Sequence, residues 1–185
     1  MNRNCVVSRE IYTPTTPKET KEVESLLLKF FGTQMRDVWR LGLLTGLRIG
    51  ELLQLKFEDL CQEDNTEVLS LKNLSHEHRS IVLRSEAAEI IQSIRQEYPE
   101  DVFVFQSRNS RNRVNKEPAP ISRQAVFKAF KDVGDVMNKN LTVHSMRHAL
   151  AVNIIRNTKD LSEYASARFT NEVIGQYYSK KKQSE

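Results

Sequence analysis

Residues 45–55 read Thr45-Gly46-Leu47-Arg48-Ile49-Gly50-Glu51-Leu52-Leu53-Gln54-Leu55. The apolar positions before this stretch stop at Gly46, and Leu52, Leu53 and Leu55 resume at helical spacing. The stretch is therefore a helix, a break and a second helix entered at about Ile49. Arg48 stands at that entrance between Leu47 and Ile49, a poor place for a solvated side chain. A guanidinium taken out of water costs several kcal/mol unless it is paired. Two readings stay open at this point: a snorkelling arginine with Glu51 as its salt-bridge mate, or an arginine kept for an anionic ligand.

A second segment, His144-Ser145-Met146-Arg147-His148, poses the same question more sharply. Positions 144, 147 and 148 fall on one helical face, crowding two imidazoles and a guanidinium together. His144 and His148 have zinc-ligand spacing, but no third ligand is evident, and Arg147 would repel a cation from that face. A bound phosphate, by contrast, relieves the repulsion among the three groups. A third segment, Tyr177-Tyr178-Ser179-Lys180, places two phenols near the C-terminal end. Adjacent tyrosines are ordinarily packing residues. Beside two arginines and two histidines, a late tyrosine completes a set able to attack a phosphodiester without a metal, with guanidinium groups neutralising the developing charge.

Outward from these segments, Thr16-Pro17 opens a helix carrying Val23, Leu26, Leu27 and Phe30, and Gly32 closes it. Met35, Val38, Trp39, Leu41, Gly42 and Leu43 form a more buried second helix. Strands are expected at Glu67–Lys72 and Arg79–Leu83, joined by a polar turn as a hairpin. Ser85 is expected to cap a helix through Ile90, Ile91 and Ile94 that ends at Pro99. Val102–Phe105 is a short apolar segment. Ser122 caps a helix carrying Val126, Phe127, Phe130 and Val133; Thr142 caps one beginning at Val143, and Asp160 starts a shorter one. The expected fold class is α+β, mostly α-helical with a small antiparallel sheet. Three parts are expected: an extended arm over 1–18, one domain over 19–180 and a basic tail over 181–185.

The chain has 185 residues, enough for one ordinary domain, and 39% of them are hydrophobic, enough for a proper core. Cys5 and Cys61 lie far apart, against a disulfide framework or thiolate metal site. No apolar run approaches the roughly 20 residues that span a bilayer, and no signal-peptide pattern opens the chain. It reads as a soluble, cytoplasmic protein with no membrane partner. The net charge of +4 suggests a polyanionic partner. Between Gln106 and Lys131 stand Arg108, Arg111, Arg113, Lys116, Arg123, Lys128 and Lys131 against one acid, Glu117. Such a run is either a solvated surface or the footing for a nucleic-acid backbone.

Taken together, these motifs resemble the tyrosine recombinase (phage integrase) family, which includes phage integrases, dimer-resolving recombinases and small DNA-inversion recombinases. Thr45–Leu55 looks like the family's first arginine motif, with Glu51 at its acidic position. The segment 144–148 looks like the second, about a hundred residues later, and the likeness runs from about Lys18 to Lys180. The resemblance implies the family's catalytic-domain fold and a site-specific recombinase that cleaves and rejoins DNA through a 3′-phosphotyrosyl link. Tyr178 would be the nucleophile, with Tyr177 as its competitor. Arg48, Arg147 and His144 would hold the phosphoryl group, Lys72 would protonate the leaving oxygen, and His148 would assist acid–base work or positioning. No metal and no other cofactor is implied.

Arg108, Arg111, Arg113, Lys116, Arg123 and Lys128 would contact the DNA backbone. The implied partners are double-stranded recombination sites, a homotetramer on paired DNA, and accessory DNA-bending proteins. A mobile element is the implied setting. The family's Gly-His or Gly-Trp pair stands about nine residues before the nucleophile. Counting back from Tyr178 gives Arg168-Phe169, a ring that cannot donate, unless Thr170 takes that place. That departure keeps a catalytically silent DNA-binding regulator as the alternative function, and a type IB topoisomerase as a third. Only about 18 residues precede the catalytic part, so the clamp domain of most members is missing. Either the chain is a fragment or it resembles the small inversion recombinases that lack the clamp, and Met1 with no obvious tag favours the latter.

Overall fold

The computed structural model describes residues 10–63, 66–70, 80–108 and 117–157. Six helices and a small sheet follow in order: α1 (Pro17–Phe31), α2 (Thr33–Thr45), α3 (Ile49–Leu53), β1 (Leu60–Glu63), β2 (Thr66–Ser70), β3 (Ser80–Val82), α4 (Ser85–Glu97), α5 (Arg123–Met137) and α6 (His144–Asn157). The strands are antiparallel in the order β1-β2-β3. Leu60 faces Leu69 across the first pair, and Leu69 faces Ile81 across the second. Strand β1 carries too little alternation to be read from sequence. The shorter helix starting at Asp160 lies outside the described residues.

Helix α1 starts where a capping box forms. The Thr16 hydroxyl accepts from the Glu19 N–H at 3.2 Å, and the Glu19 carboxylate accepts back from the Thr16 N–H at 3.0 Å. Helix α2 ends at Gly46, whose φ of 64° is left-handed and whose N–H reaches the Gly42 carbonyl. Ser122 caps α5 through the Ala125 N–H at 3.1 Å. The cap expected of Ser85 is instead occupied by Arg84, whose carbonyl accepts from both Ala87 and Ala88 while its side chain makes no cap. Helix α3 ends at Leu53, and just beyond it the Leu55 carbonyl accepts the Val104 N–H at 2.9 Å. That bond stitches the buried Val104 and Phe105 segment onto the chain leaving the first arginine motif.

The core is a single cluster drawn from every helix. Val23 and Leu27 of α1, Val38, Trp39 and Leu41 of α2, Val126, Phe130 and Val133 of α5 and Met146 of α6 are all without exposure. Trp39 meets Phe130 edge to face with centroids 5.7 Å apart, a contact worth about 0.5–1.5 kcal/mol beyond burial. The Trp39 indole N–H has no partner among the described residues, a cost the surrounding packing offsets.

The end of the arm docks rather than trailing free. The Tyr12 N–H donates to the Asn140 carbonyl at 2.9 Å, Lys139 lies over the Tyr12 ring, and Arg156 donates to the Thr15 carbonyl. Burial, and after it the charges of Glu19 and Glu22, pushes the Tyr12 phenol up to about 12. Although burial alone would raise the Glu19 carboxyl, hydrogen bonds from Thr15 and Thr16 outweigh it and hold that group low.

Two outcomes follow. At the α5–α6 turn, a Cβ on Gly134 would stand 2.6 Å from the Lys139 carbonyl oxygen and 2.9 Å from the Leu141 nitrogen. Both are backbone atoms that cannot swing aside. Gly134→Ala should therefore destabilise by roughly 1–3 kcal/mol, read as a drop in thermal midpoint. For Tyr12, a phenol raised in the fold favours the folded state fully below its unfolded value of 10.0 and loses that contribution as pH climbs toward 12. An absorbance titration of wild type minus Tyr12→Phe should show one phenol ionising near pH 12; a midpoint near 10 would mean the arm is not docked.

Candidate active site

The first arginine motif is shaped by its own backbone. The Thr45 hydroxyl donates to the Leu41 carbonyl at 2.7 Å and accepts from the Leu47 N–H at 3.4 Å, closing the turn around Gly46. Leu47 goes inward and Arg48 is left at the N-terminal boundary of α3. The Arg48 side chain is 61% exposed, so the burial expected from its apolar neighbours does not occur. At a helix boundary the chain has not yet taken up helical direction, and alternate residues part ways. Glu51 is only 11% exposed. It works chiefly on the backbone, accepting the Arg48 N–H at 2.7 Å, and its other oxygen stands 3.8 Å from the Arg48 guanidinium. Glu51 thus fixes the turn that presents Arg48 and leaves the guanidinium turned toward solvent.

The second motif divides between two faces. Ser145, Met146 and Ala149 have no exposure, whereas His144 is exposed and Arg147 and His148 are half-buried. The Thr142 hydroxyl accepts from the His144 N–H at 3.2 Å, and the Ser145 hydroxyl accepts from the Thr142 N–H at 3.1 Å. These reciprocal bonds hold the first turn of α6, from which His144 projects. Met146 seats the helix: a Cβ on Gly42 would overlap its sulfur, so α6 rests in the hollow that Gly42 leaves in α2. Gly42 lies six residues before Arg48 in the chain. The second motif therefore sits on a helix packed against α2, the helix that leads into the first.

The basic residues fare unequally. Arg123, the first residue of α5, is exposed, and its guanidinium lies on Gly50 of α3. Lys128 is 74% exposed and pairs with Asp132 at 2.6 Å along its own helix. Arg108 is held inward: Nε donates to Asp101 at 2.8 Å, Nη2 lies 2.6 Å from the same carboxylate, and the guanidinium stacks 3.2 Å from the Tyr98 ring centre. Gln106 donates to the other Asp101 oxygen at 2.6 Å. Arg108 thus serves first to tie the segment after Pro99 together. Lys72, Arg111, Arg113, Lys116, Phe169, Thr170, Tyr177 and Tyr178 lie outside the described residues. What sequence reasoning missed are the two close approaches at Gly42 and Gly50. A glycine inside a helical pattern was the available signal, since it costs about 1 kcal/mol against alanine and invites a packing explanation.

Across residues 19–174 the chain matches the phage integrase family. A protein of Methanocaldococcus jannaschii named as a probable integrase/recombinase is 30% identical over 161 residues, covering 81% of this chain and 48% of that protein. The tyrosine recombinase XerD of Staphylococcus saprophyticus is 27% identical over 156 residues, covering 80% of this chain and 48% of its own. The chain thus spans about half the length of these curated relatives. Its fold matches the Tn1549 transposon integrase, solved with circular intermediate DNA, at a TM-score of 0.66 and 18% identity, over 91% of this chain and 61% of that one. It also matches the XerH site-specific recombinase bound to difH substrate at a TM-score of 0.63 and 18% identity, over 89% and 49%. At that identity the likeness establishes the fold, a mostly helical one of the tyrosine recombinase catalytic type. With the family match running over most of its length and including both arginine motifs, this chain belongs to the phage integrase family.

Proposed function

We propose that this chain is a site-specific recombinase that breaks and rejoins DNA strands through a covalent bond to Tyr178. The observation that carries the reading is the seating of α6 on α2, which sets His144, Arg147 and His148 on a helix packed against the one that leads into Arg48. In the proposed reaction the Tyr178 phenol oxygen attacks the scissile phosphorus and the bond to the 5′ oxygen breaks. A 3′-phosphotyrosyl link and a free 5′-hydroxyl result. Lys72 supplies the proton to the leaving oxygen, and His148 receives that of the phenol. Arg48, Arg147 and His144 neutralise the non-bridging oxygens as charge builds in the transition state. The bond energy is kept in the phosphotyrosine, so religation to a partner strand needs no nucleotide and no metal.

The exposure of Arg48 supports this assignment, because a guanidinium that must accept a phosphate has to reach it. The partners of the reaction are double-stranded recombination sites, brought together by a homotetramer, with accessory proteins bending the DNA. The place of action is the DNA-bearing cytoplasm. The XerH structures are described as pre-cleavage and post-cleavage complexes on DNA, which fits the same chemistry here. One observation favours a second reading: Phe169 stands where the family carries a donor ring. A silent DNA-binding regulator would keep the cationic surface and lose the covalent step.

The two readings part on a nicked duplex carrying a candidate site from DNA flanking the gene. Wild type should form a protein–DNA adduct stable on a denaturing gel, Tyr178→Phe should form none, and Tyr177→Phe should still form it. Lys72→Ala and Arg48→Ala should each slow adduct formation by about a hundredfold or more, the scale of losing one proton donor or one oxyanion contact. Tight binding without any adduct from wild type would move the assignment to the regulator. Loss in Tyr177→Phe alone would move the nucleophile by one residue.

A further inference from the structure

Helix α6 is held in the core along only part of its length. Met146, Ala149, Ala151 and Val152 are buried, and past Val152 none of the described side chains is. A helix end without packing frays, because its last carbonyls have no partner within the helix. The last turn of α6 nevertheless has an anchor. Arg156 donates through Nη1 to the Thr15 carbonyl, at the far end of the chain. A cation in a last helical turn ordinarily serves that turn's own carbonyls. This one reaches across to the arm.

The same short piece of arm takes hold of the other end of the helix. Tyr12 donates its N–H to the carbonyl of Asn140, in the turn that leads into α6, and the Lys139 ammonium lies 5.3 Å from the centre of its ring. Between the two holds Pro14 is buried. One oxygen of Glu19 fastens the piece to α1, accepting the Thr15 N–H at 2.9 Å, the Thr15 hydroxyl at 3.3 Å and the Thr16 N–H at 3.0 Å. Among the described residues Glu19 makes no bond to α6 and acts on it only through Thr15. A rod seated at one point can pivot there, and a second hold at its far end fixes its direction. The seat is Met146 on Gly42, inside the second arginine motif, and the far hold is Arg156.

We infer that residues 12–15 form a strap across α6, clasped by Glu19, and that Arg156 is a positioning residue which fixes the direction of the helix carrying His144, Arg147 and His148. The strap stands on the contacts above, and its consequence for strand cleavage rests on the recombinase reading.

The test uses the full chain as wild type, Arg156→Met, Arg156→Lys and Glu19→Ala, with thermal midpoints verifying that each is folded at the temperature of measurement. Methionine keeps the stem and removes the donor, whereas lysine keeps a donor. Hydrogen exchange is read first. The amides of residues 153–157 should exchange about fivefold to tenfold faster in Arg156→Met, the scale of one lost hydrogen bond, and lysine should restore most of the protection. Glu19→Ala should speed the same amides, while those of α2 stay as in wild type. Adduct formation on the nicked duplex is read second. Arg156→Met and Glu19→Ala should both slow it about tenfold, with affinity for the duplex within about twofold of wild type. One variant removes a positive charge and the other a negative one, so a shared slowing cannot come from attraction to DNA. Exchange unmoved in Arg156→Met would overturn the strap, and exchange moved there but not in Glu19→Ala would overturn the clasp. Faster exchange in both with adduct formation as fast as wild type would overturn the positioning role. A wild type that forms no adduct would overturn the recombinase reading, and the exchange pattern would still decide the strap.

Discussion

A methionine sulfur fills the space where a Cβ would stand on Gly42, so at that point α2 offers bare backbone and α6 the side chain. Glycine in the interior of a helix costs about 1 kcal/mol relative to alanine. Complete burial of Met146 returns about 1.5–3 kcal/mol. The exchange is favourable on balance, and it fixes which part of α6 lies over which part of α2. The placing of the second arginine motif follows from that seating. Once Met146 is down, Ser145 and Ala149 must point inward as well, and His144, Arg147 and His148 are carried on the remaining side.

The second close approach, at Gly50, has a different character. Gly42 receives an apolar atom and belongs to the core. Gly50 receives the end of a cationic side chain and belongs to the surface. Packing energy accounts for the first, and a guanidinium resting on backbone in water gains little of it.

Much of this was legible in the sequence, and the reasons differ by residue. The breaks at Gly32 and Gly46 and the caps at Thr16 and Ser122 were readable because each depends on local chemistry within four residues. The grouping of His144, Arg147 and His148 was readable from helical period alone. In the sequence the orientation of Arg48 stays open between a snorkelling side chain paired with Glu51 and one kept for an anion, because at a helix boundary apolar neighbours do not decide which way a side chain turns. Glu51 looked like a salt-bridge mate and is first of all a backbone acceptor. The fate of Arg108 was hidden for another reason. In sequence it opens a basic run, and only folding brings Asp101, Gln106 and Tyr98 around it. Charge counted along a chain says how many cations there are, and the acids that neutralise them are assigned by tertiary structure.

The exposure of Arg48 resolves the dilemma that its sequence position raises. A guanidinium buried with its own carboxylate would have its charge met inside the protein, and breaking that pair to admit a phosphate would cost several kcal/mol. A guanidinium left in water with Glu51 engaged on the backbone carries no such debt. In the proposed reaction it would lose water only when DNA arrived, and the phosphate would then replace that water with charge-assisted hydrogen bonds in a site of lower dielectric. That interaction would be weakest in the free protein and strongest where negative charge grows on the oxygens, which is the condition for binding energy to lower a barrier rather than to hold a substrate. A motif that exposes its arginine and buries the adjoining acid is thereby suited to catalysis on a phosphodiester, and a motif that buried both would be suited only to holding the fold together.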